Sequence, residues 1–388
     1  MTTASADIAA GIREGLQQLC AGFDLDYWMA ADRDHRFPEE FWAELTKGGW
    51  LGLIVPEEHG GQGLGMVEAA VATEEIAAGG AGQAGALFYV LTPVFGAVPL
   101  LRHGTAEQQG RLLPGISSGD VQFCMALTEP DAGSNTAKLR THAERDGDDF
   151  VVNGAKVWIT GVERANVMLL VCRTSPHDPK RPLHGITTFL VDLPADGLTY
   201  QPIDKMGTRF INSSQVYFDD VHIPADRVIG QVDEGMRVLF DVLNPERIVG
   251  AAGGLGHAQL GLDLATGYAR VRSPFDTPIG AYQGVAFPLA QLAAELEAAR
   301  LLTYRAAELF DAGESSGAEA AMAKLLASQV SDRTADQAFR THGGMAYARE
   351  YHVERLVRDG KIARNAPISE ELALAHIAQH ILGLPKSY

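Results

Sequence analysis

The spacing of apolar residues changes twice along this 388-residue chain, and that double change most constrains what it can fold into. Up to Gly119 apolar side chains recur every three or four positions, as on one face of a helix. Pro38 is placed to open a helix carrying Phe41, Trp42 and Leu45, and Thr105 with Gln108 reads as a capping box for a helix ending near Leu113. Then come VQFCMALT, DDFVVNG, NVMLLVC, ITTFLVD and SSQVYFDDVHI, rich in β-branched and aromatic residues and separated by Gly, Pro and Asp turns. From Asp233 onward helical patterns return, with Ala-rich runs such as LAQLAAELEAARLLTYRAAELF, whose length and short connections suit antiparallel helices of a bundle. The expected domains are helical over 1–120, β over 121–231 and helical over 232–388.

Composition limits the partners. Lys and Arg total 32 against 49 acidic residues, a formal charge of −17, which argues against sequence-independent binding of nucleic acid or an anionic membrane. Any anionic ligand must then be held by local donors. Cys20, Cys124 and Cys172 match no metal-ligand or redox spacing and read as buried free thiols in a reducing compartment; no metal is expected. The start, MTTASADIAAGIREGL, lacks a basic region followed by an apolar run, so a soluble cytoplasmic protein is expected.

Chemistry concentrates between Met125 and Gly161, where MALTEPDAGSN and GAKVWITG flank an eighteen-residue hairpin-like segment. Thr128 and Thr160 offer hydroxyls, Trp158 a broad aromatic plane, and the turn from Asp131 to Ser134 backbone N–H groups for anionic oxygens. Together they suit an isoalloxazine ring and its diphosphate. With KMGTRFINSSQVYFDDVHIPADRVIG, NPERIVGAAGGLGHAQLGLDLATGYARVRSPFDTPIGAYQ and HGGMAYAREYHVERLVRDGKI, the chain resembles the acyl-CoA dehydrogenase family over nearly its whole length.

The resemblance implies a β-barrel-like middle domain, a C-terminal four-helix bundle at the core of a homotetramer, and FAD between them with its adenine half reaching a neighbouring subunit. Carried over by position, Thr128 and Thr160 bond the flavin ring, Trp158 covers one face, and Ser134 sits near the diphosphate and the substrate's pantetheine. Arg272, Phe275 and Gln283 match contacts to the cofactor across a dimer interface. His342, Gly343 and Gly344 match the glycine pair that lets backbone approach FAD; Arg340 stands where the family commonly has Gln.

Dehydrogenating an acyl-CoA thioester needs a carboxylate to remove the α-proton. Many family members carry it in a turn after the Arg-Asp of an RDxxI motif, but counting from Arg358-Asp359 that position is Pro367, which is no base and has no N–H for the thioester oxygen. Ile368 or Ser369 is left to donate, and Ser369 is placed at the cofactor site. A minority branch, including isovaleryl-CoA dehydrogenase, carries its glutamate on an earlier helix, and that position is Glu246, flanked by Asn244 and Arg247 as pantetheine contacts. Pro245 is expected to kink that helix or to start one at Glu246. Glu370 and Glu371 are the alternative bases, although Ser-Glu-Glu before an apolar run also reads as a helix N-terminus, and Glu129 reads as a turn-stabilising residue. The implied activity is formation of a trans-2-enoyl-CoA, with electrons passing to an electron-transfer flavoprotein. An acyl-carrier-protein-linked flavoenzyme, an enoyl-thioester reductase, a flavin oxidase or a silent flavoprotein subunit remain as alternatives.

Overall fold

The computed structural model describes residues 3–386, as helices, then a sheet, then helices. The first block contains α1 (Thr3–Cys20), α2 (Leu25–Arg33), α3 (Glu39–Lys47), α4 (Met66–Ile76), α5 (Ala86–Tyr89), α6 (Val98–His103) and α7 (Ala106–Ser118). The Asp24 side chain caps α2 by accepting the Tyr27 N–H at 2.9 Å. The Thr105–Gln108 capping box forms, and α7 runs on to Ser118, past the expected end at Leu113. α4 to α6 join through wider turns into a helical run, Met66–His103, long and apolar enough to cross a membrane; it is mostly buried and packs as the core of this block.

The chain then forms β1 (Phe123–Ala126), β2 (His142–Asp146), β3 (Asp149–Thr160), β4 (Val167–Arg173), β5 (Ile186–Asp192), β6 (Leu198–Pro202), β7 (Ser213–Ile223) and β8 (Val228–Ile229). They make one sheet in the order β6-β7-β3-β2-β4-β5-β8, with β1 added parallel to β4. The hairpin-like segment is the β2–β3 hairpin, which turns between Asp146 and Asp149 with Gly147 at φ +65°. β4 is buried along its whole length, which explains its unbroken apolar run.

The last block holds α8 (Gly235–Val271), α9 (Gln283–Asp311), α10 (Gly317–His342), α11 (Val353–Gly360) and α12 (Glu370–His380). α8 is the spine. A Cβ at Gly235 would lie 2.5 Å from the Thr188 nitrogen, so glycine lets the helix begin against β5, and a Cβ at Gly256 would meet the Glu74 carbonyl at 2.2 Å, so glycine lets α4 cross it. No helix starts at Glu246: α8 runs continuously through Pro245, because packing along its length outweighs one lost backbone hydrogen bond.

One charge cluster joins all three blocks. Asp32 of α2 accepts from Arg209 (2.8 and 3.3 Å), in the loop before β7, and from Arg358 (2.7 and 3.4 Å) of α11. Arg358 also pairs with Glu354 and donates to the Met206 carbonyl. Next to Arg209, Phe210 inserts among Trp28 and Phe88 of the first block. Burial alone would raise the Asp32 carboxyl, but the two guanidiniums outweigh it and hold it at about 2. The stabilisation is therefore complete above the ordinary carboxylate value and is lost as pH falls through about 2. Asp32→Asn should cost about 3 kcal/mol by leaving two half-buried cations short of a partner. Urea unfolding read at pH 7 and pH 3 should show a smaller gap between wild type and variant at the lower pH; an equal midpoint at pH 7 would remove the cluster's stabilising role.

Candidate active site

The loop after β1 is fastened from beneath by a buried ion pair. Lys156 Nζ donates to Glu129 at 2.9 Å and to the carbonyls of Leu127 (2.9 Å) and Val171 (2.7 Å). Glu129 also accepts the N–H groups of Arg140 and Thr141 at 2.7 and 3.0 Å. Burial pushes its carboxyl up, but the ammonium and these donors outweigh that and keep it below its ordinary value. Glu129 is thus the turn-stabilising residue its position suggests. Thr128 is held against β3 in consequence, its carbonyl accepting the Val157 N–H at 2.9 Å.

Beside it the register of β3 on β7 shifts between Lys156 and Ile159, and within that bulge Trp158 adopts φ +64°. A bulky residue in the left-handed region costs roughly 1–3 kcal/mol, and such outliers gather at functional sites. The strain turns the indole outward, where it is 55% exposed, an open aromatic plane next to Thr128. Two residues on, Thr160 Oγ1 lies 2.9 Å from Ser213 Oγ. Asp131, Gly133 and Ser134 are exposed, and a Cβ at Gly133 would meet nothing within 4 Å, so this turn can receive a ligand's oxygens. These groups fit one face and one edge of a flat ring.

The carboxylate comes from α8. Glu246 is buried, makes no hydrogen bond among the described residues, and is pushed up to about 7 by burial, with Arg247 and Lys324 opposing. Its environment connects directly to the position where a base was missing. Gly250 stands one turn along the same face of α8, and a Cβ there would lie 3.3 Å from Pro367 Cδ. Lys324 of α10, itself buried, donates to the carbonyl of Ile368. Arg247 Nη1 holds Asn244 at 3.0 Å, while its Nε is buried with no partner among the described residues, a donor left for a ligand.

The alternatives fare differently. Glu370 is clamped by Arg364 at 2.8 and 3.0 Å, and Glu371 is exposed in the first turn of α12. Ser369 accepts the Leu372 N–H at 3.3 Å as the N-cap of α12, so its hydroxyl is used in the helix-start role.

A second group collects far along α8. Arg272 follows the helix's last residue, 26 positions after Glu246 or roughly 40 Å at about 1.5 Å per residue. Its N–H meets the Tyr268 carbonyl at 3.0 Å, and the Tyr268 ring stacks on His342 with centroids 4.3 Å apart. Gly343 (φ +60°) and Gly344 face open space there; Arg340 and Gln283 are exposed, and Phe275 is 79% exposed. The structure therefore brings the predicted residues together in two places rather than one. A 650 Å³ groove between α8 and α9, including Thr266 and Arg270, lies beside this second group, and a 360 Å³ cleft lies by Asp32 and Arg349.

No motif in the sequence gives Lys156, Lys324 or the Asp32 cluster a role. For both lysines a signal existed: each is a lone cation at a position where apolar periodicity points inward.

Family models match the whole course of the chain: the acyl-CoA dehydrogenase N-terminal domain over residues 9–120, the middle domain over 124–221 and the C-terminal domain over 233–382. The chain is 41% identical over 379 residues to the acyl-CoA dehydrogenase FadE12 of Mycobacterium tuberculosis, covering 97% of this chain and 96% of that one. It is 39% identical over 363 residues to the mitochondrial short-chain specific acyl-CoA dehydrogenase of Bos taurus, covering 92% and 85%. Its fold is similar to a glutaryl-CoA dehydrogenase from Mycobacterium smegmatis solved in complex with FADH2, with TM-score 0.90, 28% identity and coverage of 100% and 96%.

The raised Glu246 value has a stability consequence. The neutral carboxyl is the form that burial tolerates, so the site costs increasing stability as pH climbs from the ordinary value of 4.5 to about 7, and a constant amount above that. In the cofactor-free protein, Glu246→Gln should therefore be more stable than wild type at pH 8, by about 3 kcal/mol, and indistinguishable at pH 4. Equal stability at both pH values would show that the carboxyl is solvated.

Proposed function

The chain belongs to the acyl-CoA dehydrogenase family and is an FAD-dependent oxidoreductase acting on the CH–CH group of an acyl-CoA, and from that premise we propose that Glu246 is its catalytic base. The observation that carries this reading is a buried carboxyl with no hydrogen-bond partner among the described residues, standing one helical turn from the residue against which Pro367 packs. Proline fills the usual position, and α8 supplies the acid from the adjoining wall.

FAD, when bound, supplies the acceptor for the β-hydride. The chain's residues do the rest. The Glu246 carboxylate takes the α-proton, leaving the trans-2-enoyl thioester and a neutral carboxyl that burial favours. Trp158 would cover one face of the ring, and Thr128 and Thr160 would donate to its polar edge. Ser134 serves the diphosphate and the pantetheine. Arg247 Nε and Asn244 hold the pantetheine beside the base. Arg272, Phe275, Gln283, Arg340, His342, Gly343 and Gly344 belong to the second centre around Tyr268, too far along α8 to share the ring site of their own chain. We assign them to the cofactor of a neighbouring copy, in a homotetramer. An electron-transfer flavoprotein would be the electron acceptor.

In Glu246→Gln the protein should keep FAD and its oligomeric state but lose flavin reduction by an acyl-CoA by roughly two orders of magnitude or more. Anaerobic stopped-flow bleaching across acyl chain lengths measures this, and unchanged rates would reject Glu246. In wild type kcat/KM should rise about tenfold per pH unit up to about 7 and then level, because only the ionised base accepts the proton. A profile flat from pH 5 to 8 would contradict the assignment.

A further inference from the structure

The loop between β6 and β7 carries a lysine that the reaction scheme above leaves without a role. Lys205 Nζ is half-buried and donates to the Ile211 carbonyl at 2.6 Å and to Ser213 Oγ at 3.1 Å, and Ser213 Oγ lies 2.9 Å from Thr160 Oγ1. Ser213 is buried, so these hydroxyls have few other partners. An ammonium has donors and no acceptor, so Ser213 Oγ must accept from Lys205. Its single proton is then free for Thr160 Oγ1. Thr160, accepting on that side, has its own proton left to point away from the sheet.

We propose that Lys205 is a positioning residue: through Ser213 it sets the direction of the hydrogen-bond chain so that the Thr160 hydroxyl donates toward the edge of the bound flavin. This rests on the assignment of Thr160 to the flavin. The geometry also explains why the loop is so firmly held. Three residues after Lys205, the Thr208 N–H donates to Asp359 at 2.6 Å, and Arg209 and Phe210 anchor it to the first block. Burial draws the ammonium down to about 8, and the acids that oppose this are Asp359 of α11 and Glu163, in the turn after β3. A neutral amine can accept, and above that pH the chain can run in reverse.

The test is the midpoint potential of bound FAD, titrated at pH 7 in the holoprotein. Lys205→Met should bind FAD yet shift its oxidised-to-reduced balance about tenfold toward the oxidised form, close to 30 mV lower for a two-electron couple. Lys205→Arg should restore most of the shift, and Ser213→Ala should reproduce it. In a Thr160→Val background Lys205→Met should change nothing further, since the two act in series. The wild-type advantage should shrink above pH 8. If Lys205→Met does not fold, Ser213→Ala carries the test alone. A wild-type potential in Lys205→Met or Ser213→Ala, or a shift that persists in Thr160→Val, overturns the proposal. Failure of wild type to bind FAD would instead overturn the functional reading on which it rests.

Discussion

Everything near the site depends on one carboxylate meeting two guanidiniums. Asp32 reaches from the helical first block to Arg209 of the sheet's loop and Arg358 of α11, and no two of the three blocks can separate without breaking part of that cluster. Charges taken this far out of water are costly alone and acceptable together, so the cluster favours one mutual arrangement of the domains. Phe210, packed among Trp28 and Phe88, adds apolar burial at the same junction.

The consequence for chemistry is positional. The loop that carries Arg209 and Phe210 also carries Lys205 and Thr208, and Thr208 is held by Asp359, the neighbour of Arg358. A few residues past Asp359 the chain reaches Pro367, against Gly250 and one turn from Glu246. The loop that packs beside β7 and the segment that leads to Pro367 are thus both joined to the C-terminal end of α11. A rigid link of this kind lets separate domains keep reacting groups in register, because misplacements of about 1 Å can cost roughly a hundredfold in rate.

Much of this was legible in the sequence. The two changes of period gave the order of helices, sheet and helices, and the turn-to-strand pairing from Thr128 to Thr160 drew attention to residues the structure sets side by side. Period and motif spacing are local properties, and local properties survive in sequence. What did not survive is the effect of long-range packing. Pro245 locally signals a break, yet α8 continues through it because its surroundings hold it. The φ of Trp158 and the pairing of Asp32 with residues 177 and 326 positions away leave no mark in a local pattern.

The central claim, that the carboxyl at 246 removes the α-proton, can be isolated from hydride transfer. A saturated acyl-CoA analogue whose β-carbon is replaced by sulfur has no β-hydride to give, so incubation in D2O with the holoprotein reports proton removal alone, read by NMR as deuterium entering the α-position. Exchange that occurs in wild type, strengthens with pH through about 7 and is abolished in Glu246→Gln is the predicted result. Exchange that continues undiminished in Glu246→Gln would contradict the account.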